Sequence, residues 1–206
     1  MDPAPKPPDA RPDPAAGAFG GSPALPQAGW WCRWGFPLII VCCVIVIFVA
    51  WAGQPLTVVL IRHAEKAAQP PGDPPLTADG TARALALVDV LGDAGVDAIF
   101  VSQLVRTGFT AEPLATARGL TPVAVTIDEN DPQPYVTDLL DQLLSGHWGD
   151  TVLVVSHSNT VPMIADQLGA PATGAIGNSF DRLFIITVPR WWGTPTIVRA
   201  RYGAAN

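Results

Sequence analysis

The sequence predicts an α/β domain in three layers, with a mostly parallel central sheet flanked by helices. Short runs rich in β-branched residues alternate with longer segments of helical spacing along residues 57–202. Strands that alternate with helices indicate a parallel sheet covered on both faces. The runs TVVLIR (57–62) and TVLVVS (151–156) have almost no polar side chains, which is typical of strands buried on both faces.

The individual elements follow from this alternation. Helix spacing is clearest in residues 76–92, where apolar side chains recur every three positions, Thr77 is a candidate N-cap and Gly92 a stop signal. The predicted strands are 57–62, 97–102, 121–127, 151–156, 182–189 and 194–202, and the predicted helices are 76–92, 104–118, 136–144 and 159–169.

The first 53 residues differ from this domain. Residues 1–33 are expected to be a disordered Pro-rich tail, because eight of the 22 prolines fall within the first 29 residues. Residues 34–53 are uncharged, and 20 residues of helix span about 30 Å, the thickness of a hydrocarbon core. Tryptophans flank this run, as aromatic residues do at membrane interfaces: Trp30, Trp31, Trp34 and Trp51.

We therefore expect a single transmembrane helix at 34–53 that precedes an α/β domain at 54–206. A buried helix is the first alternative, but the Pro-rich tail offers no surface to cover it. A cleaved signal peptide is the second, since residues 50–52 have the A-x-A form of a cleavage site. The long tail favours an uncleaved anchor. The flanking charges leave the orientation open, and an extracytoplasmic catalytic domain is favoured.

Charge and cysteine content exclude some functions. The net charge of −6 argues against nucleic-acid binding. No cysteine follows Cys43, so the predicted domain can hold neither a disulfide nor a thiolate metal site. The domain contains one lysine, Lys66, so an extended basic surface for polyphosphorylated ligands is not expected.

Histidines and arginines follow three of the predicted strands. The first strand ends at Arg62-His63, Arg106 follows the second strand by four residues, and His157 ends the strand at 151–156. Ligands of open α/β sheets bind beyond the carboxyl ends of the strands. Two guanidinium groups can clamp a phosphate dianion, and a neutral imidazole between them can attack phosphorus. The set thus indicates phosphoryl transfer by positioning and charge stabilisation.

Four segments in order, TVVLIRHAEK, LTADG, SQLVRTGFTAEPLA and VLVVSHSNTVP, resemble the histidine phosphatase (phosphoglycerate mutase-like) superfamily over residues 56–170. The resemblance implies that His63 is the nucleophile that becomes phosphohistidine. Arg62, Arg106 and His157 would form the phosphate pocket, and neither a metal nor an organic cofactor is implied. Two small residues replace glycines usual in the family, Ala64 after the first histidine and Ser156 before the second.

The general acid is expected in the segment after the third strand, where many members of the family carry a carboxylate. Glu129 is the first candidate, and Asp128 and Asp131 are the next. A solvated acidic turn is the alternative for this segment. Asn159 either contacts the phosphate or caps the following helix.

The leading hypothesis is a membrane-anchored phosphatase that hydrolyses phosphomonoesters or phosphoproteins. A mutase is less favoured, because the 50 residues from 107 to 156 leave little room for a segment closing over the substrate. A non-catalytic phosphoprotein-binding module at the membrane is the other alternative. The substrate, the orientation in the membrane and the oligomeric state are left open by the sequence.

Overall fold

The computed structural model describes residues 30–170, 174 and 176–204. The chain divides into two units, Met1–Val46 and Ile47–Asn206. The expected disordered tail lies outside the described residues except at its end, since the first helix, α1, already begins at Trp30.

Helix α1 (Trp30–Ala52) covers the run that the sequence predicts to span a membrane. The described side chains of this helix are those of residues 38–49, and all of them are exposed. Within the described part of the chain, however, the search for a helix of sufficient length and apolarity to cross a bilayer found none. The predicted transmembrane helix is therefore not supported by the structure.

The second unit contains a sheet of six strands in the order β3-β2-β4-β1-β5-β6. The strand bounds are β1 Leu56–Arg62, β2 Val96–Ser102, β3 Val123–Val125, β4 Thr151–Ser156, β5 Arg182–Val188 and β6 Thr196–Arg201. β4 pairs in parallel with β1 and with β2, and β2 pairs in parallel with β3. β5 is antiparallel to both β1 and β6. The predicted mixed, mostly parallel sheet is confirmed.

Helices cover both faces of this sheet: α2 Ala78–Leu91 and α3 Val105–Arg118 on one, α4 Gln133–Gly146 and α5 Thr160–Gln167 on the other. On the α2/α3 side, Leu87 and Leu114 pack against Ile61 and Val155. On the α4/α5 side, Leu139 is among the residues that pack against Leu60 and its neighbours. Residues that alternate along a strand face opposite sides, so each central strand contributes to both cores. The three-layer arrangement agrees with the prediction.

Two elements, β3 and α4, differ most in length from their predictions. β3 has three residues rather than seven and pairs only with the last three residues of β2. Pro122 lacks the N–H that a longer pairing would need, and an edge strand tolerates such an end. α4 begins at Gln133, three residues before the predicted start, and Pro134 lies in its first turn, where proline favours a helix.

The sheet order determines where chemistry can occur. Because β4 lies between β1 and β2 and runs parallel to both, the carboxyl ends of these three strands meet at one edge. Each of these ends is followed by a residue that the sequence selects as functional: His63 after β1, Arg106 after β2 and His157 after β4.

Candidate active site

Three neighbouring strand ends bring the two predicted histidines together. The ring centroids of His63 and His157 are 5.4 Å apart, with the ring planes tilted by 59°. Both side chains are buried. The parallel ladder continues one residue past β1, since the His63 N–H donates to the Ser156 carbonyl at 2.9 Å. The position of His63 is thus set by the sheet.

The hydrogen bonds around His63 select its tautomer. Nδ1 lies 2.8 Å from the carbonyl oxygen of Ala64. A carbonyl can only accept, so Nδ1 carries the hydrogen and Nε2 keeps its lone pair. The backbone is held as well, since the Ala64 N–H donates to Thr110 Oγ1 at 2.9 Å and the Thr110 hydroxyl donates to the Arg106 carbonyl at 2.7 Å. Nε2 is therefore the ring nitrogen with an available lone pair, in an imidazole whose position is fixed.

The electrostatic surroundings keep His63 neutral. Burial is the main cause that lowers its pKa to about 3, and nearby His157, Arg62 and Arg106 lower it further. The hydrogen bond to the Ala64 carbonyl acts in the opposite direction. A neutral imidazole is the form that can attack phosphorus, so the site holds His63 in its reactive form at neutral pH.

His157 is also neutral and is held by hydroxyl groups. Its pKa is lowered to about 4, first by burial and then by the charges of Arg106, Arg62 and Lys66. Nε2 of His157 lies 3.0 Å from Ser102 Oγ, and Ser102 Oγ lies 2.9 Å from Thr107 Oγ1. This buried contact uses one ring nitrogen and leaves Nδ1 for another partner.

Arg62 is held between a loop carbonyl and an aromatic ring. Its Nη1 donates to the Gly177 carbonyl at 2.6 Å. Its guanidinium carbon lies 4.0 Å from the ring centroid of Phe180, which is also 6.0 Å from the His63 ring. Arg62 Nε is buried and has no hydrogen-bond partner among the described residues. An unsatisfied buried donor costs about 1–3 kcal/mol, which an anionic oxygen would offset.

Arg106 is buried and contacts two carboxylates. Its Nη2 donates to Glu129 Oε1, and its Nη1 lies 3.4 Å from Asp73 Oδ1. The other oxygen of Asp73 accepts from the Val105 N–H at 2.8 Å, at the start of α3, where the N-cap residue Leu104 makes no side-chain cap. Arg106 Nε is, like Arg62 Nε, buried without a partner in the described part of the chain.

The structure distinguishes the three candidate acids. Glu129 is exposed and ion-paired with Arg106, so its carboxylate lies at the mouth of the site. Asp128 instead accepts from the backbone N–H of Asn130 at 2.9 Å, and Asp131 from that of Gln133 at 3.4 Å. Local turns thus occupy Asp128 and Asp131, and Glu129 is the member of this segment that contacts the pocket.

Asn159 lies at the start of α5, but its side chain is exposed and makes no cap hydrogen bond. The capping alternative is therefore not realised in this structure. Its predicted contact with phosphate stays a prediction.

Ser156, where the family usually has glycine, is part of a buried hydroxyl network. Its Oγ lies 2.9 Å from the Tyr135 hydroxyl and 2.6 Å from Thr160 Oγ1. Thr160 Oγ1 in turn accepts from the backbone N–H of His157 at 3.0 Å. The serine thus connects α4 to the loop that carries His157, so the replacement is accommodated by partners that hold this loop.

Glu65, two residues after His63, holds the loop after β1 in place through its contacts with Arg83. Its carboxylate accepts from Nε and Nη2 of Arg83, the latter at 2.7 Å. Arg83 Nη1 donates to the carbonyls of Tyr202 and Ala204. A Cβ at Gly80 would lie 2.2 Å from the Glu65 carbonyl oxygen, so the LTADG motif needs glycine for this close approach.

Sequence reasoning missed Asp73, Phe180 and the link between Ser102 and His157. Asp73 lies 33 positions from Arg106 along the chain, and Phe180 follows a segment that has no functional pattern. Only the tertiary structure brings them to the pocket. The position of Ser102 at the end of a predicted strand marks it as a residue of this edge. The spacing along the chain, however, does not show that Ser102 contacts His157.

Among the described residues, no group of histidines, cysteines and carboxylates could hold a metal ion. The positive charge at this edge comes from Arg62 and Arg106, with Lys66 close enough to affect His157. The buried guanidinium group of Arg106 and the half-buried one of Arg62 around a neutral imidazole form a site for a tetrahedral oxyanion.

Comparison with known protein families and structures agrees with this geometry. The model of the histidine phosphatase superfamily, branch 1, matches residues 58–130. The matched segment includes Arg62, His63, Arg106 and Glu129. The match covers 73 of the 206 residues and shows that this segment is similar to the superfamily.

Solved structures share the fold at low sequence identity. The protein histidine phosphatase SixA in complex with tungstate is 21% identical, with a TM-score of 0.56 over 70% of this chain and 96% of that chain. The mycobacterial glucosyl-3-phosphoglycerate phosphatase with inorganic phosphate is 19% identical, with a TM-score of 0.53 over 72% and 97%. Mycobacterial hydrolase 2 is 17% identical, with a TM-score of 0.56 over 74% and 92%. No curated protein sequence matches this chain.

The low pKa of His63 predicts a pH-dependent stability. The folded-state pKa of about 3 lies below the ordinary 6.5, so the unfolded chain binds a proton that the folded chain excludes. Stability from this group is complete above pH 6.5 and is lost as the pH falls toward 3. Between pH 7 and pH 5 the expected loss is about 2 kcal/mol.

Urea unfolding of the wild type and of His63→Gln at pH 7 and pH 5 measures this effect. The variant should lose less stability than the wild type over the same interval, because its side chain does not titrate. Carboxylate titrations contribute equally to both proteins. An equal loss in both would contradict the neutral, buried state of His63.

Proposed function

We propose that this protein is a metal-independent phosphomonoesterase that works through a phosphohistidine intermediate. One observation carries the proposal: the neutral imidazole of His63, with Nε2 unprotonated, lies among the charges of Arg62 and Arg106. The superfamily match supports it, as do structural neighbours that are themselves named phosphatases.

In the first step, Nε2 of His63 attacks phosphorus and the bond from phosphorus to the ester oxygen breaks. The guanidinium groups of Arg62 and Arg106 hold the equatorial oxygens, where negative charge is stabilised in the transition state. Their buried Nε atoms are donors suited to this task. The electron pair of the broken bond stays on the leaving oxygen, which needs a proton.

Glu129 supplies that proton in this mechanism. When a phosphate engages Arg106, it displaces the Glu129 carboxylate from its ion pair; in the proposed step this carboxylate takes up a proton from solvent and lies beside the ester oxygen as the acid. In the second step a water molecule attacks the phosphorus of phosphohistidine, and the Glu129 carboxylate accepts a proton from that water. The bond to Nε2 breaks, inorganic phosphate leaves, and the starting state is restored.

His157 serves as a neutral hydrogen-bond donor. The proposed mechanism uses the tautomer in which Nε2 accepts from the Ser102 hydroxyl, 3.0 Å away, and Nδ1 carries the hydrogen that is donated to an equatorial oxygen of the phosphate. His157 thereby stabilises charge without competing as a nucleophile, since its ring is fixed through Ser102 and through the hydroxyl of Thr160 at its backbone.

The proposal includes a single-pass membrane tether at residues 34–53, with the catalytic domain on the extracytoplasmic side. The sequence supports it through 20 uncharged residues with tryptophans at both ends. The side chains described in α1 are all apolar or cysteine and all exposed. A contiguous exposed apolar surface of this kind favours a lipid or protein environment.

Membrane association can be measured by sodium carbonate extraction of membranes from expressing cells. The full chain should stay in the pellet, whereas Val44→Arg combined with Ile47→Arg should move it to the supernatant, because each central arginine costs about 2.5–3.5 kcal/mol of insertion. A wild-type chain in the supernatant would contradict the tether. A mature N-terminus at Gly53 would indicate a cleaved signal peptide instead.

Replacing the nucleophile tests the mechanism. His63→Ala should lower kcat/KM for p-nitrophenyl phosphate by about 1,000-fold or more, because nothing else in the pocket can accept the phosphoryl group. Acid quenching of the wild type during turnover of a labelled phosphomonoester should trap an acid-labile phosphohistidine, which His63→Ala does not form.

His147→Ala is the matched control, because His147 lies in the turn before β4, bound to Asp150 at 2.8 Å. This variant should keep near-normal turnover, and excess EDTA should leave the wild-type rate unchanged. Label on an acid-stable residue, or turnover that needs an added divalent ion, would defeat the mechanism. A wild type that binds phosphate without turnover would favour the binding-module hypothesis.

The role of Glu129 predicts a dependence on the leaving group. Glu129→Gln should slow an alkyl phosphate about 100-fold or more and p-nitrophenyl phosphate less than about tenfold, since only the alkoxide needs a proton to leave. Asp73→Asn is the comparison variant, because Asp73 contacts the same Arg106. It should slow both substrates by a similar factor. If Glu129→Gln slows both substrates equally, a residue other than Glu129 is the general acid.

A further inference from the structure

A cavity of about 470 Å³ lies along β5 and β6 and is lined by three arginines, Arg182, Arg199 and Arg201, together with Phe184 and Ala200. We name it the arginine cavity. None of the described residues that line it is acidic, although the protein has a net charge of −6. Nothing in the sequence predicts a basic surface in this domain, so the cavity is a product of the fold.

Strand register explains why the three guanidinium groups share one face. In the antiparallel pair of β5 and β6, Arg182 is opposite Arg201 and Phe184 is opposite Arg199. Residues directly opposite each other, and residues two apart on one strand, project to the same side of a sheet. The arginines therefore surround Phe184 on one face, at the open edge of the sheet.

Arg182 lies directly opposite Arg201, and like charges in such a pair destabilise it unless a nearby anion compensates them. One is built in: the buried carboxylate of Asp181 forms an ion pair with Arg201 and fixes its position. The Asp181 carbonyl also accepts from the Tyr202 N–H at 2.9 Å. An anion bound in the cavity would add to this compensation.

The arginine cavity begins next to the catalytic pocket. In the antiparallel pair of β1 and β5, Ile61 is opposite Leu183, which places Arg182 beside Arg62. Arg62, Arg182 and Arg201 thus lie in a row at the ends of three adjacent strands. Since neighbouring strands are about 4.8 Å apart, the backbone positions of Arg182 and Arg201 lie roughly 5–10 Å from that of Arg62, and Arg199 lies two residues further along β6.

We infer that the arginine cavity is a second anion subsite, which takes a carboxylate or phosphate group carried by the substrate. The inference deepens the proposed function and rests on it. Guanidinium groups bind both anions with paired hydrogen bonds. The substrate class is then a phosphomonoester that carries a second acidic group near the phosphate that is hydrolysed, rather than a simple neutral alcohol phosphate.

Two rigid substrates that differ in one group test the inference: 4-carboxyphenyl phosphate and its amide, 4-carbamoylphenyl phosphate. The full-length wild type should show a kcat/KM about tenfold higher for the carboxylate, mainly through a lower KM, because the carboxylate gains a charge-assisted contact. In Arg199→Gln this ratio should fall toward 1. Arg190→Gln removes an exposed arginine that lies over Trp148 outside the cavity and should keep the wild-type ratio.

The affinities of the same two compounds for His63→Ala, measured by isothermal titration calorimetry, distinguish a failure of this inference from a failure of the proposed function. The carboxylate should bind about tenfold more tightly, and Arg199→Gln in that background should abolish the difference. Equal affinity for both compounds, or an equal loss of preference in Arg190→Gln, would overturn the subsite. A retained affinity difference with no turnover by the wild type would uphold the subsite and overturn the phosphatase mechanism.

Discussion

The parallel pairing of β4 with β1 on one side and β2 on the other is the constraint on which the site depends. These three strands end at one edge of the sheet, so residues about 40 to 95 positions apart along the chain become neighbours there. His63, His157 and Arg106 each follow one of these ends. A site assembled from strand ends has little freedom, because the sheet ladder extends into it through the His63 N–H and the Ser156 carbonyl.

Burial of charge then determines the chemistry. The same desolvation that lowers the pKa of both histidines also makes isolated guanidinium groups costly. The protein offsets this cost at Arg106 with Asp73 and Glu129, and at Arg62 with the Gly177 carbonyl and the Phe180 ring. These partners leave the Nε atoms as donors, so the pocket is organised for an anion before one arrives.

Beyond the charged groups, hydroxyl side chains determine how the loops are held. Thr110 connects the His63 loop to α3, Ser102 contacts the ring of His157, and Thr160 holds the backbone of His157. Ser156 joins this network through Tyr135, which explains how a residue larger than the usual glycine is tolerated at that position. Buried networks in which every hydroxyl has a partner are rigid, and rigidity is what positioning catalysis requires.

The sequence by itself determined the order and type of the elements after residue 54 and the four residues that meet at one edge of the sheet, Arg62, His63, Arg106 and His157, because hydrophobic periodicity and strand-end motifs are local signals. It also selected Glu129 among neighbouring carboxylates. Only the tertiary structure decided that Asp73 and Phe180 join the pocket and that Arg182, Arg199 and Arg201 share one cavity. Those contacts depend on strand order and on the register of antiparallel pairs, and register is set by packing between distant segments, which spacing along the chain does not encode.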